Sequence, residues 1–307
     1  MTDTVRVGTR GSKLALAQTG QVVDALRKVS SNVEFAVETL TSAGDRNADA
    51  PLAALGRGAF TSTLEQALRE GRIDLAVHSL KDLPADEQPG IMTVPVLERA
   101  DPRDVLVNRW NATLMQLPAG ARIGTSSPRR AAQLKLGRKD IEFLPIRGNV
   151  ETRIAKATGD GYDGAVLAAA GLIRLGLQSH VAEYLSPLAC PPDPGQGALA
   201  VQLRTNEERL FQIVRALIHR PTTSAVLAER WVLRAAGGGC AVPIGALATV
   251  DGDKVRLLAA ITALDGSKTY RVEVTGPIAD PDVIGKAAYQ QLMAHGAAAL
   301  LTGGASK

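Results

Sequence analysis

Aromatic side chains are scarce in this sequence: its 307 residues include four Phe, four Tyr and two Trp, or 3% of the chain. Proteins that bind single-stranded nucleic acid commonly hold the bases by stacking them on aromatic rings. Continuous blocks of Lys and Arg are missing as well. These two absences argue against a nucleic-acid partner, so the net charge of +4 favours an acidic small-molecule ligand instead.

Cysteine is rarer still, since the sequence contains only Cys190 and Cys240. Two cysteines without an export signal indicate a reducing compartment, and no CxxC or HExxH pattern is present, so we expect no metal.

No apolar run reaches the length of about 18 residues that a membrane span needs. The first residues also lack the apolar core of a signal peptide, so we expect a cytoplasmic protein without a membrane partner. Glycine-rich nucleotide-binding motifs are absent, which argues against a nucleotide cofactor.

The first third of the chain alternates between strand-like and helix-like patterns. Residues 12–29 place their apolar side chains at helical spacing, and a second helix over 61–69 is expected to end at Gly71. Such an alternation predicts a parallel, doubly wound sheet. The strands of this sheet are expected at 4–7, 35–40 and 73–77.

A similar pattern occurs twice along the chain. Residues 6–9 read RVGT and residues 122–125 read RIGT, and each is followed by a polar turn and a helix rich in Ala and Leu. Later in each copy, DLAV at 74–77 corresponds to DGAV at 163–166. The repeat predicts two α/β lobes of similar plan.

Two segments with proline and charge, 99–104 and 191–195, divide the chain. We expect a first lobe at 1–98 completed by 198–218, a second lobe at 102–192, and a smaller α+β domain at 221–307. Two crossovers between the lobes predict a hinged cleft. The third domain is expected to contain strands at 244–250, 255–263 and 269–275 and a final helix at 283–301.

Basic side chains recur in the polar turns that follow strands of both lobes. In doubly wound sheets, ligands bind beyond the carboxyl ends of the strands, where helix N-termini offer N–H groups to anions. The planar guanidinium of arginine suits carboxylates and phosphates, so several of them predict a ligand with several acidic groups. The residues of these turns are Arg10, Ser12, Lys81, Thr125, Ser127, Arg129, Arg130, Arg147 and Arg153, and Arg174 follows one short helix further on.

Two further residues could carry chemistry. Asp82 stands beside Lys81 in HSLKDLP, where its carboxylate could stabilise a positive charge or shuttle a proton, or could merely cap a turn. Cys240 follows three glycines, a costly run unless the backbone must do something unusual there. That stretch is either a flexible turn or the site of a thiol that must be accessible to another molecule or must carry an attached group.

Seven motifs, taken together and in order, resemble those of the porphobilinogen deaminase family, whose members are also called hydroxymethylbilane synthases. The resemblance covers essentially the whole chain. It implies two doubly wound α/β lobes like those of periplasmic binding proteins, plus a smaller α+β C-terminal domain, in a monomer. The motifs are GTRGSKLA (8–15), HSLKDLP (78–84), GTSSPRRAAQL (124–134), RGNVETR (147–153), GLIRLG (171–176), PGQGALA (194–200) and GGGCAVPIGA (237–246).

The resemblance implies a transferase of tetrapyrrole and haem biosynthesis. Four porphobilinogen units would be joined head to tail onto a dipyrromethane primer, each with loss of ammonia, and water would release hydroxymethylbilane. Cys240 would carry the dipyrromethane cofactor through a thioether bond, and Asp82 would be the catalytic carboxylate that stabilises the azafulvene cation. The cofactor-binding residues would be Lys81, Asp82, Thr125, Ser127, Arg129 and Arg130, and the substrate-binding residues would be Arg10, Ser12, Arg147, Arg153 and Arg174.

Some positions depart from the family pattern. Ala54 stands where many relatives have a lysine, Arg57 keeps a charge in the same loop, and Gly237 stands where a Glu is common. Cys190 has no matching role and is expected in the core.

The main alternative function is a two-lobed module that binds an anion or solute without catalysis. A nucleic-acid-binding regulator is a second alternative, against which the scarcity of aromatic residues argues.

Overall fold

The computed structural model describes residues 3–40, 62–159, 161–238 and 243–302. Cys240, Ala54 and Arg57, on which several expectations depend, therefore lie outside the described residues. The chain divides into two compact units, which we call unit 1 (Met1–Ala100 with Gly197–Thr223) and unit 2 (Asp101–Gln196 with Ser224–Lys307). Within the described ranges, no helix has both the length and the apolar character needed to cross a membrane.

Unit 1 is built on a five-stranded sheet with the strand order β2-β1-β3-β10-β4. Strands β2, β1 and β3 run parallel, and β10 runs antiparallel to both of its neighbours. The strands are β1 (Asp3–Arg10), β2 (Val33–Leu40), β3 (Leu75–Ser79), β4 (Ile91–Val96) and β10 (Leu199–Arg204).

Helices cover both faces of this sheet because successive strand residues point to opposite sides. Val77 packs in one core cluster with Val22 and Val214, whereas its neighbour Ala76 packs in another with Leu64. Burial on both faces explains why β3 reads as a nearly continuous apolar run. The helices are α1 (Lys13–Val29), α2 (Ser62–Arg69) and α6 (Glu208–Arg215).

The first sheet of unit 2 repeats this plan with the order β7-β6-β8-β5-β9. Again three strands run parallel, and again the strand that follows a crossover, here β5, runs antiparallel. The strands are β5 (Asp104–Asn108), β6 (Arg122–Gly124), β7 (Glu142–Leu144), β8 (Gly164–Ala168) and β9 (Glu183–Tyr184), and the helices are α3 (Pro128–Lys135), α4 (Val150–Ala157) and α5 (Ala169–Arg174).

The expected fold class, two α/β lobes with a smaller α+β part, is confirmed, with two differences in detail. Both five-stranded sheets are mixed rather than parallel, because the strand that returns from each crossover enters from the opposite direction. The segment 99–104 was expected to be a linker, yet Asp104 begins β5 and is fully buried. A charged residue next to a proline indicates a solvated loop, and only a long-range partner makes its burial possible.

The remaining part of unit 2 is a three-stranded antiparallel sheet in the order β11-β12-β13. The three expected strands are confirmed, but the expected final helix is divided at Gly296, whose φ of 100° ends the first segment. These elements are α7 (Arg220–Ala235), β11 (Ile244–Asp251), β12 (Lys254–Thr262), β13 (Thr269–Pro277), α8 (Pro281–Ala294) and α9 (Ala298–Thr302). The three domain boundaries and the hinged cleft stay predictions.

Gly245, in β11 of the three-stranded sheet, contacts α3 and the crossover segment 191–195. A Cβ there would lie 2.4 Å from Pro191 O and 2.6 Å from Gln133 Nε2, so a side chain has no room. The neighbouring Ala246 N–H donates to Pro192 O at 2.9 Å. The beginning of β11 is therefore fixed directly against α3, which carries two of the candidate arginines.

Candidate active site

Unit 1 has a pocket at the carboxyl ends of β1 and β3, which are parallel neighbours. Ligands of open α/β sheets bind at this edge. Two of the expected substrate-binding residues and the expected catalytic residue line this one pocket. Its lining is Arg10, Ser12, Leu14, Ala15, Gln18, Val77, His78, Ser79 and Asp82.

Asp82 is held at the pocket by a short, well-anchored turn. A 3₁₀ helix, Leu80–Asp82, follows β3 directly. Leu80 and Leu83 are each only 1% exposed, and the Leu80 N–H donates to Ala198 O at 3.0 Å. Two buried leucines therefore fix the backbone on either side of Asp82, while its carboxylate stays exposed at the pocket. Lys81 lies in the same turn and is half-buried.

The beginning of α1 forms the facing wall. Ser12 caps this helix, and its Oγ accepts from the Ala15 N–H at 3.2 Å. The N-terminus of a helix presents backbone N–H groups and a partial positive charge to anions. Gln18 Nε2 donates to Ser79 Oγ at 2.7 Å and so joins α1 to the end of β3. Arg10 and the α1 N-terminus therefore add cationic character to the pocket that Asp82 also lines.

His78 is the buried titratable group of this pocket, at 6% exposure. Burial, together with the charge of Arg10, lowers the pKa of His78 to about 4, against an opposing effect of the nearby Gln202. The imidazole is accordingly neutral near pH 7. A neutral imidazole adds no charge beside Arg10.

The lowered pKa of His78 predicts a pH-dependent stability. Between pH 6.5 and 4 the unfolded chain binds a proton at His78 that the folded chain does not, so the unfolding free energy falls as the pH falls through this window. The contribution lost is at most roughly 3 kcal/mol, because a tenfold difference in proton affinity corresponds to about 1.4 kcal/mol. Urea unfolding of wild type and His78→Gln at several pH values should show a smaller slope for the variant. His180→Gln, which removes an exposed histidine, is the control, and equal slopes in all three proteins would contradict the assignment.

In unit 2, the expected cofactor residues cluster at the beginning of α3. Ser127 caps the helix, with its Oγ accepting from the Arg130 N–H at 3.4 Å, and Pro128 occupies the first turn. Thr125 Oγ1 accepts from the Ser127 N–H at 3.2 Å, which orders the turn between β6 and α3. Proline and a hydroxyl cap are the usual residues for such a helix start.

Arg129 and Arg130 are buried, at 5% and 7% exposure, and both bond to Asp104. Arg129 Nη2 donates to Asp104 Oδ2 at 2.8 Å, and Arg130 donates to Asp104 Oδ1 from Nη2 at 2.7 Å and from Nε at 3.0 Å. The two guanidiniums hold the pKa of the Asp104 carboxyl well below its usual range, against the opposing effect of burial. Asp104 was not anticipated from the sequence, where no local signal distinguishes it from a linker aspartate.

The remaining expected arginines lie elsewhere in unit 2. Arg147 follows β7 and is half-buried, and Arg153 Nε donates to Gly148 O at 2.8 Å, which shapes the turn before α4. Arg174 ends α5, and burial lowers its pKa to about 10, so it remains a cation at neutral pH. Cys190 is a core residue as expected, at 1% exposure.

The described residues thus form two groups. Arg10, Ser12 and Asp82 come together in unit 1, with Lys81 beside them. The second group, at the start of α3 in unit 2, consists of Thr125, Ser127, Arg129 and Arg130. Of the other three arginines, Arg147 lies in the turn before α4, Arg153 lies within α4, and Arg174 lies at the end of α5. The expected attachment residue, Cys240, falls outside the described ranges.

Comparison with known proteins adds a second line of argument. Residues 5–212 match the family model of the porphobilinogen deaminase dipyrromethane cofactor binding domain, and residues 223–294 match that of the porphobilinogen deaminase C-terminal domain. Porphobilinogen deaminase of Roseiflexus castenholzii is 44% identical over 304 residues, covering 99% of this chain and 100% of the relative. That of Desulforudis audaxviator is 43% identical over 298 residues, covering 97% and 96%. A ligand-binding component of a Staphylococcus aureus ABC-type import system, 12% identical over 75% of this chain and 73% of its own, has a TM-score of 0.41, too low to carry an argument.

Proposed function

The chain belongs to the porphobilinogen deaminase family, and from this premise we propose the reaction and the roles of its residues. The protein is a transferase of tetrapyrrole synthesis that joins porphobilinogen units head to tail. In the proposed balance, four porphobilinogens and one water give one hydroxymethylbilane and four ammonia. The observation that carries the proposal is the pocket whose lining brings Asp82 together with Arg10 and with Ser12, the cap of α1.

The donor set suits the dipyrromethane cofactor of this family, whose pyrrole rings carry acetate and propionate groups. Arg129 Nε is buried without a hydrogen-bond partner among the described residues, and the α3 start adds hydroxyl groups and helix N–H groups. Carboxylates match both kinds of donor. When bound, the cofactor supplies a pyrrole primer that remains attached to the protein. We assign its attachment to Cys240 and its binding to Lys81, Asp82, Thr125, Ser127, Arg129 and Arg130.

Asp82 acts on the substrate in this proposal. Departure of ammonia from porphobilinogen leaves a positive charge on the substrate's pyrrole ring. A carboxylate positioned beside the pyrrole N–H stabilises this positive charge most strongly in the transition state, where the charge develops. Interactions that are stronger in the transition state than in the ground state are the ones that accelerate a reaction. The same carboxylate can take up and return the proton lost when two rings join. Its exposure at the pocket leaves it accessible for both tasks.

The other basic residues bind the acidic side groups of the substrate and of the growing chain. We assign this role to Arg10, Ser12, Arg147, Arg153 and Arg174. Guanidiniums bind carboxylates with two parallel hydrogen bonds, which fixes orientation as well as charge. Because His78 is neutral, it does not repel the guanidinium of Arg10. It also does not take the place of Arg10 as the cation that binds a carboxylate. We further propose that the protein acts as a cytoplasmic monomer.

The experiment that tests the function is incubation of the purified protein with porphobilinogen. We expect loss of porphobilinogen, release of ammonia and formation of hydroxymethylbilane, together with a dipyrromethane adduct in the intact mass. The alternative, an anion-binding module without catalysis, predicts an unmodified chain that binds porphobilinogen and returns it unchanged. An unmodified chain that converts nothing after preincubation would overturn the proposed function.

A further inference from the structure

Asp104 bonds to four buried side chains of unit 2 at once, which are Arg129, Arg130, Gln196 and Cys190, whose Sγ donates to Asp104 Oδ2 at 3.5 Å. Besides its bonds to Arg129 and Arg130, its Oδ1 accepts from Gln196 Nε2 at 2.8 Å. The aspartate has no exposed surface. Buried ion pairs cost desolvation and often stabilise a fold less than apolar packing would, whereas they fix geometry when every partner is bonded. Stability alone is therefore a weak explanation for this cluster.

The bonds of the cluster leave each arginine little freedom. Arg130 Nη1 donates to Val166 O at 3.0 Å, and Arg129 Nη1 donates to Pro191 O at 2.7 Å and to Gln133 Oε1 at 3.1 Å. With Asp104 on the other edge, each guanidinium is held on two sides. The plane and position of both groups are thus set before any ligand arrives.

The same cluster reaches both crossover segments. Gln196 Nε2, besides bonding to Asp104, donates to Pro102 O at 2.7 Å, and Arg129 bonds to Pro191 O. Pro191 in turn packs against Gly245, which lies five residues after Cys240 in the sequence. The arginines at the start of α3 therefore share one bonded network with the backbone next to the cysteine-bearing segment.

We propose that Asp104 is a positioning residue for cofactor capture, which holds Arg129 and Arg130 in the orientation that receives the carboxylates of the dipyrromethane. This inference rests on the proposed function. Asp104 acts through the two arginines and does not touch the cofactor itself. Arg129 Nε is buried and has no hydrogen-bond partner within the described part of unit 2, so one donor of the pair is not used by the cluster itself.

The structure provides a matched control in a second cluster of one aspartate and two arginines. Asp163 Oδ2 accepts from Arg122 Nε at 3.2 Å, and Asp163 Oδ1 lies 3.6 Å from Arg109 Nε. This cluster also lies in unit 2, but just before β8, and its three members are not among the residues assigned to cofactor binding. Asp163→Asn therefore weakens a second, more exposed aspartate–arginine cluster that does not include Arg129 or Arg130.

The test compares Asp104→Asn with Asp163→Asn. Both variants are purified and their melting temperatures are measured. Unmodified chain of each variant is then incubated with porphobilinogen at a temperature at which both are folded. The intact mass, recorded over time, gives the fraction of chains that carry the dipyrromethane adduct. We expect Asp104→Asn to load cofactor roughly tenfold to a hundredfold more slowly than wild type, the loss typical of misplacing a charged hydrogen bond. Asp163→Asn should load cofactor at nearly the wild-type rate even if its melting temperature is lower than that of wild type.

Equal loading rates in the two variants would overturn the proposal, since the effect would then be one of general stability. If Asp104→Asn does not fold, Gln196→Ala replaces it, because this change removes the bonds of Gln196 to Asp104, Arg130 and Pro102 O and keeps all three charges. Slower loading by folded Gln196→Ala supports the positioning role, and wild-type loading by it contradicts that role. A wild-type chain that never gains the adduct would instead refute the proposed function.

Discussion

Replacing Asp82 with alanine should lower kcat for porphobilinogen consumption by roughly a hundredfold to ten-thousandfold, the usual range for loss of a positioned acid–base group. Asp82 lines the same pocket as Arg10, and its carboxylate would be the group that stabilises the positive charge on the pyrrole ring. KM should change far less, because the lost interaction is strongest in the transition state. The measurement is steady-state loss of porphobilinogen, together with the release of ammonia.

The fold should survive this substitution. Asp82 is exposed, and the backbone around it is fixed by the buried leucines on either side, so the unfolding free energy should change by only about 0.5 kcal/mol. Asp86→Ala is the matched control, since it removes an exposed carboxylate four residues further along that does not line the pocket. A near-normal rate in Asp82→Ala, or an equal loss in Asp86→Ala, would refute the assigned role.

The repeated plan of the lobes could be predicted because it depends on local patterns. RVGT and RIGT begin in β1 and β6, and these strands occupy equivalent places in sheets of the same order. A strand followed by a capped helix is encoded within about 20 residues, so a single sequence reveals it. The pocket around Arg10, Ser12 and Asp82 could be anticipated for a different reason, since a doubly wound sheet places the carboxyl ends of parallel neighbours at one edge wherever they stand in the sequence.

The parts that could not be predicted depend on contacts between distant residues. Arg129 and Arg130 were expected in a polar turn facing a ligand, yet they are buried because Asp104, some 25 residues earlier, neutralises them. Nothing in the local sequence of either segment indicates that pairing. The antiparallel direction of β5 and β10 was missed for a related reason, since the direction of a strand after a crossover depends on where the chain re-enters the sheet.

Replacing Cys240 with serine should abolish stable attachment of the dipyrromethane. A thiol is partly ionised near neutral pH and forms a durable thioether, whereas a serine hydroxyl is a far weaker nucleophile without an activating base. The purified variant should therefore have the mass of the bare chain after incubation with porphobilinogen. Turnover should fall to background, because the first unit would have no anchored primer to join.

Cys190→Ser distinguishes attachment at one sulfur from a general requirement for thiols. Burial raises the pKa of the Cys190 thiol to about 12, so it contributes almost no thiolate at neutral pH and is a poor candidate for attachment. In Cys190→Ser the adduct should still be present and should map to the peptide that contains Cys240. An adduct that persists in Cys240→Ser, or that disappears only in Cys190→Ser, would refute attachment at Cys240.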